Sequence, residues 1–367
     1  MTPFRWTPAH VAAIAEGGYP VAPRFTAAAA PRVVPSIDLW DHWPALTPAG
    51  ALAPIDGGLL VIALTAPILP DPEARHAVAR LRLFHRTAAG WRDLGALLPP
   101  ALSPGSREWA GSALLDTARR RLTLYFTAAG RPGEAAPGFD QRLFECHIAL
   151  GDDLRPVDWT TPVECVIPDG EAYETALAGG GESGTIKAFR DPFHMRDQGS
   201  EWLLFAASRA RAESAWNGLV GAARRDGSGW RLTAPWIDAT GVSNELERPH
   251  AVAHQGALYL FWSTQRKVFA PELRHAPTGL YGVVRATGDT PWQPVNGHGL
   301  VFANPPEAPA QAYSWQVLPD LSVWSFADLV GLDRAATPVG EACRAFAGAP
   351  APVLRLRLAG AHAALVD

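Results

Sequence analysis

Short apolar runs, each preceded by charged residues and bounded by turn formers, recur along this chain and set its organisation. The clearest instance is Asn244 to Gln265, NELERPHAVAHQGALYLFWSTQ. Ala251 to His254 reads as one strand, His254, Gln255 and Gly256 as a turn, and Ala257 to Thr264 as an apolar, aromatic second strand. A strand that starts with Glu245, Glu247 and Arg248 and continues apolar must open its start to a cavity and pack its remainder between sheets. The plainer alternative is a surface salt-bridge cluster at a strand end.

The same hairpin recurs. FRDPFHMRDQGSEWLLFAAS (Phe189 to Ser208) and LERPHAVAHQGALYLFWST (Leu246 to Thr264) share charge, arginine, proline, strand, glycine-containing turn and aromatic strand. Each is followed by a glycine-rich strand and a tryptophan-containing one, Gly218 to Leu232 and Gly279 to Val295. Weaker copies begin at Arg107 and at Ala312. With Asp41, Trp109, Arg190, Arg248 and Tyr313 as unit starts, successive spacings are 68, 81, 58 and 65 residues. Five four-stranded units with almost no helix between them predict an all-β chain, a five-bladed β-propeller whose innermost strands deliver side chains to one axial funnel. A β-sandwich would also give many short strands, but it leaves unexplained why charge recurs at the same place in each unit. Residues 1–35 are expected to form an N-terminal extension, with a short helix from Thr7 to Ala15 capped by Thr7 and started by Pro8, packed on a propeller spanning 36–367.

Composition narrows the chemistry. A formal net charge of -4, with Lys187 and Lys267 the only lysines, gives no footprint for nucleic acid. The fourteen tryptophans suit stacking on neutral sugars, although most are expected to fill the core. Cys146, Cys165 and Cys343 are an odd number with no metal-ligand spacing, so neither a zinc site nor a full disulfide framework is indicated, and no metal or cofactor enters the reading. The longest apolar run, Gly57 to Leu69, is interrupted by Pro67 and too short for a bilayer; it reads as a buried strand in a soluble protein. No Sec-type signal is visible in Thr2 to Gly18. In Ser36 to Pro44, SIDLWDHWP, carboxylates among tryptophans suit a sugar-binding floor or capped turns beside buried indoles.

Six motifs in order carry a resemblance: WDHW (Trp40 to Trp43), EWAG (Glu108 to Gly111), FRDP (Phe189 to Pro192), ELERPH (Glu245 to His250), GLYGVV (Gly279 to Val284) and QAYSW (Gln311 to Trp315). Over nearly its whole length the chain resembles glycoside hydrolase family 68, the levansucrases and related sucrose-cleaving enzymes, which are five-bladed propellers. It is most similar to the Gram-negative branch, where an early dipeptide like Trp6-Thr7 also occurs. The resemblance implies a retaining fructosyl transfer from sucrose, with fructan acceptors and competing hydrolysis. It implies Asp41 as nucleophile, Asp191 as the carboxylate stabilising the fructosyl transition state and Glu247 as general acid/base, the last expected to be held protonated by burial. Trp40 and Trp109 would wall the fructose subsite, Arg190 and Arg248 would orient the carboxylates, Arg266 would face the glucosyl side, and Glu245 and Tyr313 would complete the sucrose pocket. The family works mostly outside the cell, so an extracellular location is the expectation and a cytoplasmic one the alternative.

Departures from the pattern bear on detail. Ala110 stands where the family has a serine supporting the nucleophile, and Phe193 follows RDP in place of histidine. FAAS, with Ala206 and Ser208, replaces a glutamate- and asparagine-containing segment expected on the acceptor side. Asn244 takes the place of a calcium-site aspartate of Gram-positive members. A plain sucrose hydrolase and, from another class, a non-catalytic carbohydrate-binding propeller are the alternatives, the latter opposed by the retention of Asp41, Asp191 and Glu247.

Overall fold

The computed structural model describes residues 2–175, 186–286, 290–331 and 346–366. Cys343 lies outside them; Cys146 and Cys165 are free thiols. Among the described residues the strands form five sheets, antiparallel apart from one N-terminal strand, taken up in chain order as five blades. The inner strands are Ile37–Pro44, Arg107–Asp116, Phe189–Asp197, Glu247–His254 and Ala312–Val317, each at one edge of its sheet and paired to the next long strand in the chain. These are the strands whose starts the recurring charge marked, and the expected five-bladed propeller is the fold found.

Local chemistry explains the hairpins. In the third and fourth blades the turns after the inner strand are Gln198-Gly199 and Gln255-Gly256, with φ of 49° and 75°, then 48° and 75°. Two successive left-handed residues make the turn whose twist matches antiparallel strands, and glycine takes the second position without a Cβ penalty. The run at Gly57 is the strand Gly58–Pro67, buried over its central residues as the second strand of the first blade.

The core lies between blades rather than within one layer. Eight of the fourteen tryptophans are buried, among them Trp43, Trp262 and Trp315 of the inner and second strands. The helix is Pro8–Gly17, ending two residues later than expected; His10 Nδ1 accepts from the Thr7 backbone N–H at 3.0 Å, and the helix ends before Gly18 at φ 67°. Phe4–Arg5 pairs in parallel with Ile237–Asp238 of the third blade, while Trp6 packs on Trp262, Phe269 and Tyr281 of the fourth. The N-terminal segment thus spans the seam between those blades. Among the described residues no helix is long and apolar enough to cross a membrane.

Candidate active site

Each of the five inner strands carries one residue more than its partner, at the same point. The surplus falls between Trp40 and His42, Trp109 and Gly111, Arg190 and Phe193, Glu247 and His250, and Tyr313 and Gln316. Such a β-bulge bends a strand and re-aims a side chain. The residues so presented are Asp41, Ala110, Asp191, Arg248 and Ser314, one per blade. Three of them, Asp191, Arg248 and Ser314, have φ of 61°, 49° and 60°, a left-handed conformation that costs a non-glycine residue roughly 1–2 kcal/mol. Pro192 and Pro249 follow two of these; lacking an N–H, they fit where the ladder is broken. Arg-Asp-Pro and Glu-Arg-Pro are therefore bulge sequences as well as chemical ones.

Between them the bulges bring a dense ionic cluster together. Arg190 Nη2 lies 3.0 Å from Glu247 Oε1 and 3.2 Å from Glu245 Oε2, and its Nε is 3.8 Å from Asp191 Oδ2. The Tyr313 hydroxyl donates to Glu247 Oε2. The Arg248 backbone N–H donates to Asp191 Oδ2 at 3.1 Å, while its guanidinium reaches Gln316 Oε1 at 2.8 Å, Ser314 Oγ at 3.0 Å and the His42 carbonyl at 3.3 Å. Its face sits 5.4 Å from the Trp43 ring centre. His250 fixes the backbone here: its Nε2 accepts from the Val317 N–H at 2.8 Å, so Nδ1 carries the proton and donates to the Arg248 carbonyl at 2.9 Å. Gly218 admits the segment before Glu245, because a Cβ there would come within 2.8 Å of the Ser243 carbonyl oxygen and 2.9 Å of the Asn244 carbonyl carbon.

Burial raises the pKa of Asp41, opposed first by Arg248 and then by a hydrogen bond from Ser314. Burial likewise pushes Asp191 up to about 6, against the pull of Arg190, with Asp41 and Glu247 adding repulsion. That these carboxylates act on one another sets all three within electrostatic reach of each other. The expectation that burial holds Glu247 protonated is corrected. Burial does raise it, but Arg190 and the Tyr313 hydroxyl outweigh that and hold it below the usual carboxylate range. Its neighbour Glu245, hydrogen-bonded to it, is instead pushed up to about 7 by burial. Of the pair, Glu245 is thus the one favoured to hold a proton.

The remaining expected residues divide. Trp109 is half-buried, with its indole N–H donating to the His76 carbonyl at 3.4 Å, and keeps ring surface for a ligand. Trp40 is only 2% exposed, under the Arg75 guanidinium and beside His76, and so has little ring surface open. Arg266 is not drawn into the cluster: it is exposed and its Nε donates to the Arg274 carbonyl. Lys267 beside it adds a smaller pull on Glu245 behind that of Arg190, and a smaller push on His76 behind that of Arg75. Ala206 and Ser208, expected on the acceptor side, are both fully buried, and Ser208 Oγ accepts from the Ala188 N–H at 2.9 Å. Asn244 Oδ1 accepts from Lys187 Nζ at 2.8 Å, together with Asn217 Oδ1 at 2.6 Å. Sequence reasoning missed Ser314, Gln316, Arg75, His76 and Lys267; for Ser314 the signal was its place in QAYSW, one residue past Tyr313.

Known proteins resemble the chain in both sequence and shape. An inulosucrase from Halalkalicoccus jeotgali, solved with kestose bound, is 34% identical, with a TM-score of 0.87 covering 99% of this chain and 95% of that one. Levansucrase of Erwinia amylovora is 28% identical over 92% of this chain and 88% of its own. Levansucrase of Bacillus subtilis, at 17% identity, shares the fold with a TM-score of 0.83 over 100% of this chain and 95% of that one. The family model for levansucrase and invertase matches residues 1–218 and 206–367. A chain that matches this model end to end, with its ionic cluster on the bulges of a five-bladed propeller, belongs to the levansucrase/invertase family, glycoside hydrolase family 68.

Proposed function

We propose that this funnel carries out retaining fructosyl transfer from sucrose, as a levansucrase-type enzyme. The observation that carries the reading is the placement of Asp41, Asp191 and Glu247 on the inner-strand bulges of three blades or directly beside them, each acting on the ionisation of another. Three carboxylates in a largely buried site are costly unless used.

Asp41, partly exposed, attacks in its carboxylate form the anomeric carbon of the fructosyl unit. The bond from that carbon to the glucosyl oxygen breaks as an ester to Asp41 forms, and the oxygen takes the proton of the Glu245–Glu247 pair. Glucose leaves. In the second half Glu247 accepts the proton of water or a sugar hydroxyl, whose oxygen attacks the same carbon and expels Asp41 as carboxylate. Asp191, held by Arg190 and the Arg248 N–H, faces the positive charge that develops at the anomeric carbon in both steps.

Sucrose and acceptor sugars are thus the partners. Substantial hydrolysis accompanies transfer, a reading favoured by the burial of Ala206 and Ser208, which leaves an acceptor fewer polar contacts. Short fructo-oligosaccharides are the expected transfer products. Incubation with sucrose while free glucose and free fructose are counted separately tests both: glucose reports cleavage, and its excess over fructose reports transfer. Asp41→Asn and Glu247→Gln should each remove nearly all glucose release with an unchanged melting profile. Near-normal turnover in either variant would return the chain to the binding-propeller reading.

A further inference from the structure

Resting on the reading of Arg190 and Glu245 as parts of the sucrose pocket, we infer that Lys187 is a positioning residue. Its ammonium is a tethered cation in a cage of uncharged oxygens, and it locks the segment that carries Glu245 to the one that carries Arg190. Nζ donates to the Ala215 carbonyl, to Asn217 Oδ1 at 2.6 Å and to Asn244 Oδ1 at 2.8 Å. An ammonium has three N–H donors and no acceptor, so these three oxygens use it completely. The amide orientations follow from their far ends. Asn217 Nδ2 donates to the Arg209 carbonyl at 2.7 Å and Asn244 Nδ2 to the Ile186 carbonyl at 2.9 Å, which leaves both amide oxygens turned to Lys187. Both asparagines are buried, so the oxygens of the cage have little water to fall back on.

Lys187 joins two stretches that no strand ladder holds. On its own side it precedes the inner strand Phe189–Asp197 of the third blade. Its carbonyl accepts from Gln141 Nε2 at 2.8 Å, and Gln141 Oε1 in turn accepts from the Phe189 N–H at 3.1 Å and from Arg190 Nη1 at 3.4 Å. Side chains thus fix the approach to Arg190. On the other side, Asn244 and Glu245 precede the inner strand Glu247–His254 of the fourth blade. The Asn244 N–H donates to the Val268 carbonyl at 2.9 Å and Thr264 Oγ1 donates to the Glu245 carbonyl at 3.1 Å, which ties both residues to that blade. The contacts of the Asn244 amide with Lys187 and Ile186 tie them across the seam to the third. The 3.2 Å contact of Glu245 Oε2 with Arg190 Nη2 spans the same seam, so the cage holds both ends of it.

Removing the ammonium leaves three convergent oxygens without a donor and opens a channel the width of the lysine stem. Alanine at this position keeps the Cβ, and the atoms it lacks are those of propylammonium. That cation should therefore enter the cage of a Lys187→Ala protein and restore what the tether supplied, whereas tetramethylammonium brings the same charge with no N–H donor.

Lys187→Ala is the test, read by melting temperature and by initial rates of glucose release from sucrose. The variant should melt below the parent, and its kcat should fall about tenfold with KM changed less than about threefold. Propylammonium chloride should act saturably, recovering about half or more of the lost melting temperature and raising kcat about threefold or more. Tetramethylammonium chloride at the same ionic strength should do neither, and the parent should respond to neither salt. Lys187→Met fills the stem channel without a donor and should show the loss with no recovery. Equal effects of the two salts on Lys187→Ala, or a parental melting temperature and kcat in their absence, would overturn the cage. Should Lys187→Ala melt too low for rate measurements, its melting temperature in the two salts decides the cage alone. Recovery of melting temperature by propylammonium with kcat at the parental level throughout would overturn the positioning role. A parent that releases no glucose would sink the reading of the sucrose pocket, and the melting series would still decide the cage.

Discussion

A single nitrogen of Arg190 serves Glu247 at 3.0 Å while also meeting Glu245 at 3.2 Å. One cation thus sets the charge of two carboxylates, and a third, Asp191, lies 3.8 Å from its Nε. A lysine has one compact charge on a flexible stem and cannot hold three carboxylates in a plane. Arg190→Lys should lower kcat for glucose release on the order of 10²-fold while KM changes little, measured by initial rates over a sucrose series. A kcat within a factor of three of the parent would show that charge alone, without the fork, suffices.

The proton of this pair predicts a bell-shaped pH profile. Protonation of Asp191, whose pKa stands at about 6, and of Asp41, also raised by burial, removes activity as pH falls. Loss of the proton held by Glu245, near 7, removes it as pH rises. In Glu245→Gln the repulsion that keeps the pair protonated is gone, and Arg190 and Tyr313 hold Glu247 ionised. The alkaline limb should move to lower pH and turnover at pH 7 should drop about tenfold, read from kcat across pH 4.5 to 8.5. A limb at the parental position would place the working proton elsewhere.

The same shifts run against stability. Asp191 has its pKa raised in the folded chain, from 3.8 to about 6, so the folded state binds more protons than the unfolded one between those values. The group is destabilising above pH 6, and the penalty is relieved as pH falls through about 6. Asparagine accepts both the left-handed backbone at φ 61° and the Arg248 N–H. Asp191→Asn should therefore abolish turnover and yet raise stability at pH 7.5 by about 1–3 kcal/mol, with the gain shrinking toward pH 4. Denaturant melts at the two pH values check it; a variant less stable than the parent at pH 7.5 would mean that Asp191 holds its neighbours together more than burial costs.

Much of this was legible because the site is built from consecutive residues on repeated strands. Arg190-Asp191-Pro192 and Glu247-Arg248-Pro249 announce both a bulge and a charge cluster, and Gln198-Gly199 and Gln255-Gly256 announce the turns that fix the register after them. What stayed hidden depends on distance across the funnel. Ser314 is one small polar residue in an apolar strand, and nothing local to it says that Arg248, on another blade, lies 3.0 Å away. The protonation of Glu247 was misread for the same reason: burial is visible in an apolar context, but the Tyr313 hydroxyl and the shared Arg190 nitrogen that outweigh it come from other blades. Arg266 and Lys267 sit side by side, and only the tether of Arg266 to the Arg274 carbonyl separates their roles.

That separation bears on which acceptor captures the fructosyl ester. Reinstating the family's glutamate at 206 is no route to more transfer, because Ala206 is fully buried and paired in register with Arg190 and Val220. A glutamate there adds a carboxylate to a cavity-free position beside the arginine that already serves three, and Ala206→Glu should cost stability on the order of 3 kcal/mol and lower total cleavage. The acceptor side is better sought at the rim, where the exposed Lys267 acts on Glu245, Glu73 and His76. Its ammonium has three donors for sugar hydroxyls, an exposed contact worth about 0.5–1 kcal/mol, so its loss should reduce transfer relative to hydrolysis about two- to fivefold. Lys267→Ala should accordingly shrink the excess of free glucose over free fructose at high sucrose, while Arg266→Ala, whose guanidinium is turned to a backbone carbonyl, leaves the excess as it was. The reverse pattern, with Arg266→Ala changing the ratio and Lys267→Ala not, would mean that sugar binding frees Arg266 from Arg274 and restores the role first read from its sequence position.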